Sequence, residues 1–128
     1  MSMYKTGIVG QVGAEIVTQT QVEPAGGAAL AADAIYTGAR RVYGVVIDNS
    51  LNSATSYLRL WDQVGVPSIG TEDPHVILKA DASTKVQYNF DVGVYFATAI
   101  KAAVVTTAGT AGATAPSGTM TISYLLGP

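Results

Sequence analysis

The chain has 128 residues, of which 48% are hydrophobic and only 12% charged, with a net charge of −2 and no cysteine. That length makes one domain, large enough to bury a core without a metal or disulfide staple. The acidic balance, with Arg40-Arg41 as the only adjacent basic pair, argues against a nucleic-acid binder, and the missing cysteines exclude disulfides and thiolate chemistry.

Met1 to Gly13 reads as an arm ahead of a folded domain over 14–128. Gly7, Gly10 and Gly13 recur every third residue, but no strand-then-helix pattern and no Lys-Ser/Thr accompanies them, so a phosphate loop is not indicated. Two readings of the arm stand: a flexible lead-in, or a segment lying on a neighbouring subunit with Tyr4, Ile8, Val9 and Val12 as anchors. The stretch itself lacks the long apolar core of a signal peptide, and no run approaches the ~18 apolar residues of a membrane span. Synthesis in a cytoplasm is the expectation.

Glu15–Val22 is β-branched and polar, a first strand ended by Pro24. Ala25–Ala34 fits either a short helical turn or, given Gly26-Gly27, a loop of small residues. A brief strand at Ile35-Tyr36-Thr37 leads into the central stretch, Val42 to Asp62. There Val42–Ile47 and Ser56–Asp62 read as the two strands of a hairpin, joined by Asp48–Ser53, whose side chains bond their own backbone in turns. Period two puts Leu58 and Leu60 on one face and Tyr57, Arg59 and Trp61 on the other.

Gln63–Pro74 carries Gly65, Pro67, Gly70 and Pro74, and its length suggests a crossover between two sheets. A strand at His75–Ala80 and a turn at Asp81-Ala82-Ser83 follow. Thr84–Phe90 alternates cleanly, with Val86, Tyr88 and Phe90 on one face. Asp91 and Gly93 mark a corner, and Val94–Ala97 and Ile100–Thr106 are further extended stretches. Thr107–Gly118 is a loop of Thr, Ala and Gly, expected to be exposed and mobile. A last strand, Thr119–Leu126, turns Met120, Ile122, Tyr124 and Leu126 to one face.

About eight strands with Gly/Pro turns and no confident helix give an all-β chain: an antiparallel β-sandwich, jelly-roll-like, with an extended N-terminal arm. Its predicted core is Val46, Leu58, Leu60, Val76, Leu78, Val86, Tyr88, Phe90, Phe96, Ile122 and Tyr124.

Little in the sequence suggests chemistry. The single histidine, His75, stands beside Asp73-Pro74, but no Gly-x-Ser-x-Gly elbow is present, and an enzyme is not predicted. One histidine, no cysteine and scattered carboxylates predict no metal site and no cofactor, a calcium site of loop carbonyls being the one alternative. Tyr57 and Trp61, with Tyr43 and Tyr95, would make an aromatic platform of the sugar-binding kind if exposed. The competing reading covers the Tyr57/Arg59/Trp61 face with the second sheet or a neighbouring subunit. A charged fraction about half the usual share points the same way, toward surface covered by copies of the chain or by a partner.

Four stretches carry a resemblance: Val-Tyr-Gly…Asn at 42–49, Tyr-Leu-Arg-Leu-Trp-Asp at 57–62, Pro-x-x-Gly-Thr-x-x-Pro at 67–74 and Gly-Val-x-Phe-Ala-Thr-Ala at 93–99. Together they resemble small β-sandwich virion proteins of tailed phages and related prophages, over roughly residues 40 to 126. The resemblance implies a head decoration or cement protein, partnered by the major capsid protein and by itself as a homotrimer. It would sit on the capsid surface of the virion and brace the shell, with no nucleic acid or membrane among its partners. A tail or fibre component and a carbohydrate-binding module using the Tyr57/Trp61 face are the alternatives.

Overall fold

A computed structural model describes residues 15–21 and 31–128, so Tyr4, Ile8, Val9, Val12 and most of the Ala25–Ala34 segment lie outside the described residues. The strands are β1 (Glu15–Gln21), β2 (Asp33–Thr37), β3 (Arg40–Asp48), β4 (Ser56–Trp61), β5 (Val76–Ala80), β6 (Lys85–Phe96), β7 (Ala99–Val105) and β8 (Met120–Gly127). Pairing is nested and antiparallel throughout: β1 with β8, β2 with β7, β3 with β6 and β4 with β5. Two further ladders, β3 with β8 and β4 with β7, assemble these pairs into sheets ordered β1-β8-β3-β6 and β2-β7-β4-β5. That is one long hairpin folded over on itself, the topology of a jelly roll.

Alternation produces the core. Met120, Ile122, Tyr124 and Leu126 of β8 face inward with Leu58 and Leu60 of β4, Ile100, Ala102 and Val104 of β7, and Phe96 at the end of β6. On β3 the buried residues are Val42, Gly44, Val45 and Ile47, whereas the expected Val46 is only half-buried. A register shift between Val42 and Gly44 against both neighbouring strands explains this. An inserted residue reverses which parity faces inward, so Val42 and the odd positions after it share the core side.

Two connections differ from expectation. Val42–Asp62 is not a hairpin, because β3 and β4 belong to different sheets. Asp48 does bond locally, its Oδ1 accepting from Ser50 N at 3.0 Å and Ser50 Oγ at 2.6 Å. Asn49 and Asn52, however, reach across the end of the sandwich. Asn49 Nδ2 donates to the carbonyls of Ala54, Ala80 and Asp81 at 3.1, 3.2 and 3.1 Å. Asn52 Oδ1 accepts from Gly118 N at 2.7 Å, and its carbonyl accepts from Ser83 N at 2.8 Å. These buried amides therefore tie the β3–β4 arch to the β5–β6 and β7–β8 connections. The long stretch 62–75 is likewise no crossover, since β4 and β5 pair within one sheet. The links β2–β3, β3–β4, β5–β6, β6–β7 and β7–β8 all pass between the sheets, the short 81–84 among them.

The corner expected at Asp91 and Gly93 lies inside a continuous β6, as a bulge: Val42 pairs with Val94 but Gly44 with Asn89. Gly93 has φ +74°, and a Cβ there would stand 2.9 Å from Tyr43 Cε1 and 3.0 Å from Arg41 Cβ. Both the left-handed backbone and the missing side chain are required. Gly93→Ala is expected to destabilise the fold by roughly 2 kcal/mol or more through strain and steric overlap, read as a lower urea midpoint.

Candidate interaction surface

The face carrying Tyr57, Arg59 and Trp61 is the outer face of the β2-β7-β4-β5 sheet, but the chain covers it with its own loops. Arg59 is 0% and Trp61 1% exposed, while Tyr57 is half-buried. Ala103 of β7 stands opposite Arg59 and leaves space for the guanidinium. Arg59 Nη1 donates to the carbonyls of Thr110 and Gly112, both at 2.9 Å, and Nη2 to those of Thr107 at 2.9 Å and Ala111 at 2.6 Å. The loop 106–118 thus wraps a cation with its main chain. Gly112, at φ +82°, makes this turn possible, because a Cβ would lie 2.6 Å from Thr107 Oγ1. Burial lowers the Arg59 pKa, and the four carbonyl dipoles offset that penalty by solvating the charge.

The second loop is anchored alongside. Trp61 Nε1 donates to the Glu72 carbonyl at 3.1 Å, the Glu72 carboxylate accepts from Ser68 N at 2.6 Å, and Thr110 Oγ1 donates to Asp73 Oδ1 at 2.7 Å. The loop 107–118 has mostly exposed side chains, as expected, while its main chain is hydrogen-bonded at Thr107, Thr110, Ala111, Gly112, Thr114 and Gly118. As surface anchors, Arg59 and Trp61 are corrected: they are buried structural residues. Nor do the aromatics form one platform, since Tyr43 and Tyr95 belong to the other sheet.

The exposed apolar side chains lie elsewhere. At the end of the sandwich where β4 and β6 stop, Asp62 clasps the β6–β7 turn. Its Oδ2 accepts from Ala97 N at 2.8 Å, and its Oδ1 from Thr98 N at 2.9 Å and Thr98 Oγ1 at 2.8 Å. His75 seals the same region: its Nε2 lies 3.0 Å from the Tyr95 carbonyl, so Nε2 carries the proton, and its ring meets Phe96 edge-on at 4.8 Å. Val64 (64% exposed) and Val66 (67%) belong to the 62–75 connection that leaves β4 here, and Val92 (81%) and Tyr95 (48%) to the last part of β6; Leu51 (76%), in the β3–β4 arch, is exposed at the opposite end and Ile77 (38%) on β5. Arg41 lies over the Tyr95 ring at 5.0 Å. Register places the start of β1 at this end too, since Glu15 pairs with Leu126, which pairs with Val42, itself opposite Val94. Sequence reasoning missed Val64, Val66 and Val92; the signal available was an apolar residue set in a polar or glycine-containing connection.

Among the described residues, no three His, Cys, Asp or Glu side chains come together as a metal site would require. No family model matches this chain, and no curated protein or solved structure matches it.

Two outcomes test the anchors. Arg59→Lys replaces a planar fork by a single ammonium that cannot serve four carbonyls. It should cost at least ~2 kcal/mol and speed proteolytic nicking within 107–118. For Asp62, burial alone would raise the carboxyl pKa, but the Ala97, Thr98 and Ala99 N–H groups and the Thr98 hydroxyl outweigh it and hold it at about 2. Because the folded-state pKa is depressed, this stabilisation is complete above the ordinary carboxylate range near ~4 and is lost as pH falls toward 2. The wild-type urea midpoint should fall across that window more steeply than that of Asp62→Asn.

Proposed function

We propose that this chain is a non-enzymatic structural protein of a bacteriophage particle, a decoration or cement protein that binds the outer surface of the head and stabilises the shell. The observation that supports the reading is the exposure of Val64, Val66, Val92 and Tyr95 on elements that lead to the end of the sandwich where β1 begins. Such a patch, rimmed by polar turns, suits attachment to another protein surface. β1 begins at this end, so an arm at 1–13 and the patch would engage the same partner, the major capsid protein. The polar side chains that chemistry would need are already committed: His75 to a carbonyl, Asp62 to a turn, Asn49 and Asn52 to loop carbonyls and amides. The sugar-binding alternative gains no support, because Trp61 has no exposed ring to offer.

The test is the copy number in purified particles, measured by quantitative mass spectrometry against the major shell protein. Hundreds of copies in fixed ratio to the shell protein are expected. A few to a few dozen would move the protein to the tail or fibre, and absence from particles would overturn the virion reading.

A further inference from the structure

β6 leaves an open edge on the sandwich. β6 is an outermost strand, with β3 on one side and no described strand on the other. Asn49 N donates to the Thr84 carbonyl at 2.8 Å, which makes 49/84 a hydrogen-bonded pair of the antiparallel ladder. By alternation Val86 and Tyr88 turn their main-chain groups to β3, and Lys85, Gln87 and Asn89 turn theirs to the open side. The inward side chains of this stretch, Val86, Tyr88 and Phe90, pack against the core yet are only half-buried, so the apolar interior is incompletely closed here.

The neighbouring edge strand is better protected. β5 is short, the Tyr88 hydroxyl donates to the Lys79 carbonyl, and Lys79 pairs with Asp81 at 3.4 Å. Among the described residues nothing pairs with the outer side of residues 85–90 of β6, and a long open edge is a template for another strand.

We propose that the occupant of this edge is β6 of a second copy, antiparallel and related by a two-fold axis at Tyr88. The segment Lys85-Val86-Gln87-Tyr88-Asn89-Phe90-Asp91 reads alike from both ends in chemical type. With the axis at Tyr88, Lys85 faces Asp91 of the other copy, Val86 faces Phe90, and Gln87 faces Asn89. Residues directly opposite in an antiparallel pair share a face, so the apolar row continues on the inner side and the polar row on the outer. The Gln87/Asn89 pairs are also those whose main-chain groups point outward, as the ladder requires. Moving the axis to Gln87 or Asn89 keeps the main-chain pattern but removes both Lys85–Asp91 contacts, so charge selects the register. A strand with one sign at both ends would repel its own copy; this one attracts it. An isologous contact of this kind closes on itself and gives a dimer. The proposal needs only a second copy of the chain and does not depend on the virion reading.

The experiment uses sedimentation velocity on the full chain at low salt, where exposed charges are least screened. Wild type should self-associate reversibly. Lys85→Asp and Asp91→Lys should each weaken association on the order of tenfold, by turning two attractive pairs into repulsive ones. The double variant should recover it. An equimolar mixture of the two single variants should associate although neither does so well alone, because one copy then carries two acids and the other two lysines at the facing positions. A wild-type chain that stays monomeric up to millimolar concentration overturns the proposal. So does an oligomer that neither single variant weakens, or single variants that fail to complement each other when mixed.

Discussion

The guanidinium of Arg59 is the constraint around which much of this sandwich is arranged. A cation on the outer face of a central strand ordinarily meets water; here it is fully buried and its described acceptors are all main-chain carbonyls. Four carbonyls must therefore converge on it, which fixes the path of residues 107–112 without using their side chains. This accounts for the composition of that loop. Thr, Ala and Gly suffice where only the backbone is needed, and a bulkier residue at Gly112 would meet Thr107. The loop in turn holds Asp73 through Thr110, and the 62–75 loop covers Trp61. β4 is consequently buried on both faces although it belongs to an antiparallel sheet, a type that commonly leaves one face wet.

The strand pattern was legible because period-two alternation survives wherever one face is buried. Met120 to Leu126 and Val86 to Phe90 show it without interruption, and the structure turns those residues inward. What was not legible was connectivity. Asp48 to Ser53 has the composition of a tight turn, and Asp48 behaves as one, but the same short amides at 49 and 52 serve equally well to bond distant carbonyls and amides. Nothing local distinguishes the two uses. Val46 was misplaced for a related reason: a one-residue bulge at Tyr43 has no strong signature in a run of β-branched residues, yet it reverses every side chain beyond it. The surface anchors were misjudged because alternation says which residues share a face and cannot say what covers that face. Tyr57, Arg59 and Trp61 do share one, and two loops distant in sequence fill it.

The low charge of the chain follows from how its surfaces are used. Burying the outer face of one sheet beneath the chain's own loops removes area that charged residues would otherwise occupy. Two parts of what is left stand out, the exposed Val64, Val66, Val92 and Tyr95 and an edge along Lys85 to Asp91. These are different in kind. The first is irregular and apolar, suited to a partner with its own shape. The edge is a regular row of main-chain donors and acceptors, which any extended strand could extend and which only charge and side-chain order restrict.

The two surfaces need not compete. The regular pairing of β6 with β3 runs from Lys85 to Asn89 and resumes at Val94, so the self-complementary stretch reaches into the bulge at its Asp91 end. The bulge interrupts the flat run of β6, which limits how far a second copy can add, and it leaves Val92 exposed. A single glycine held against Tyr43 and Arg41 would then set the limit of one contact and present a side chain to the other.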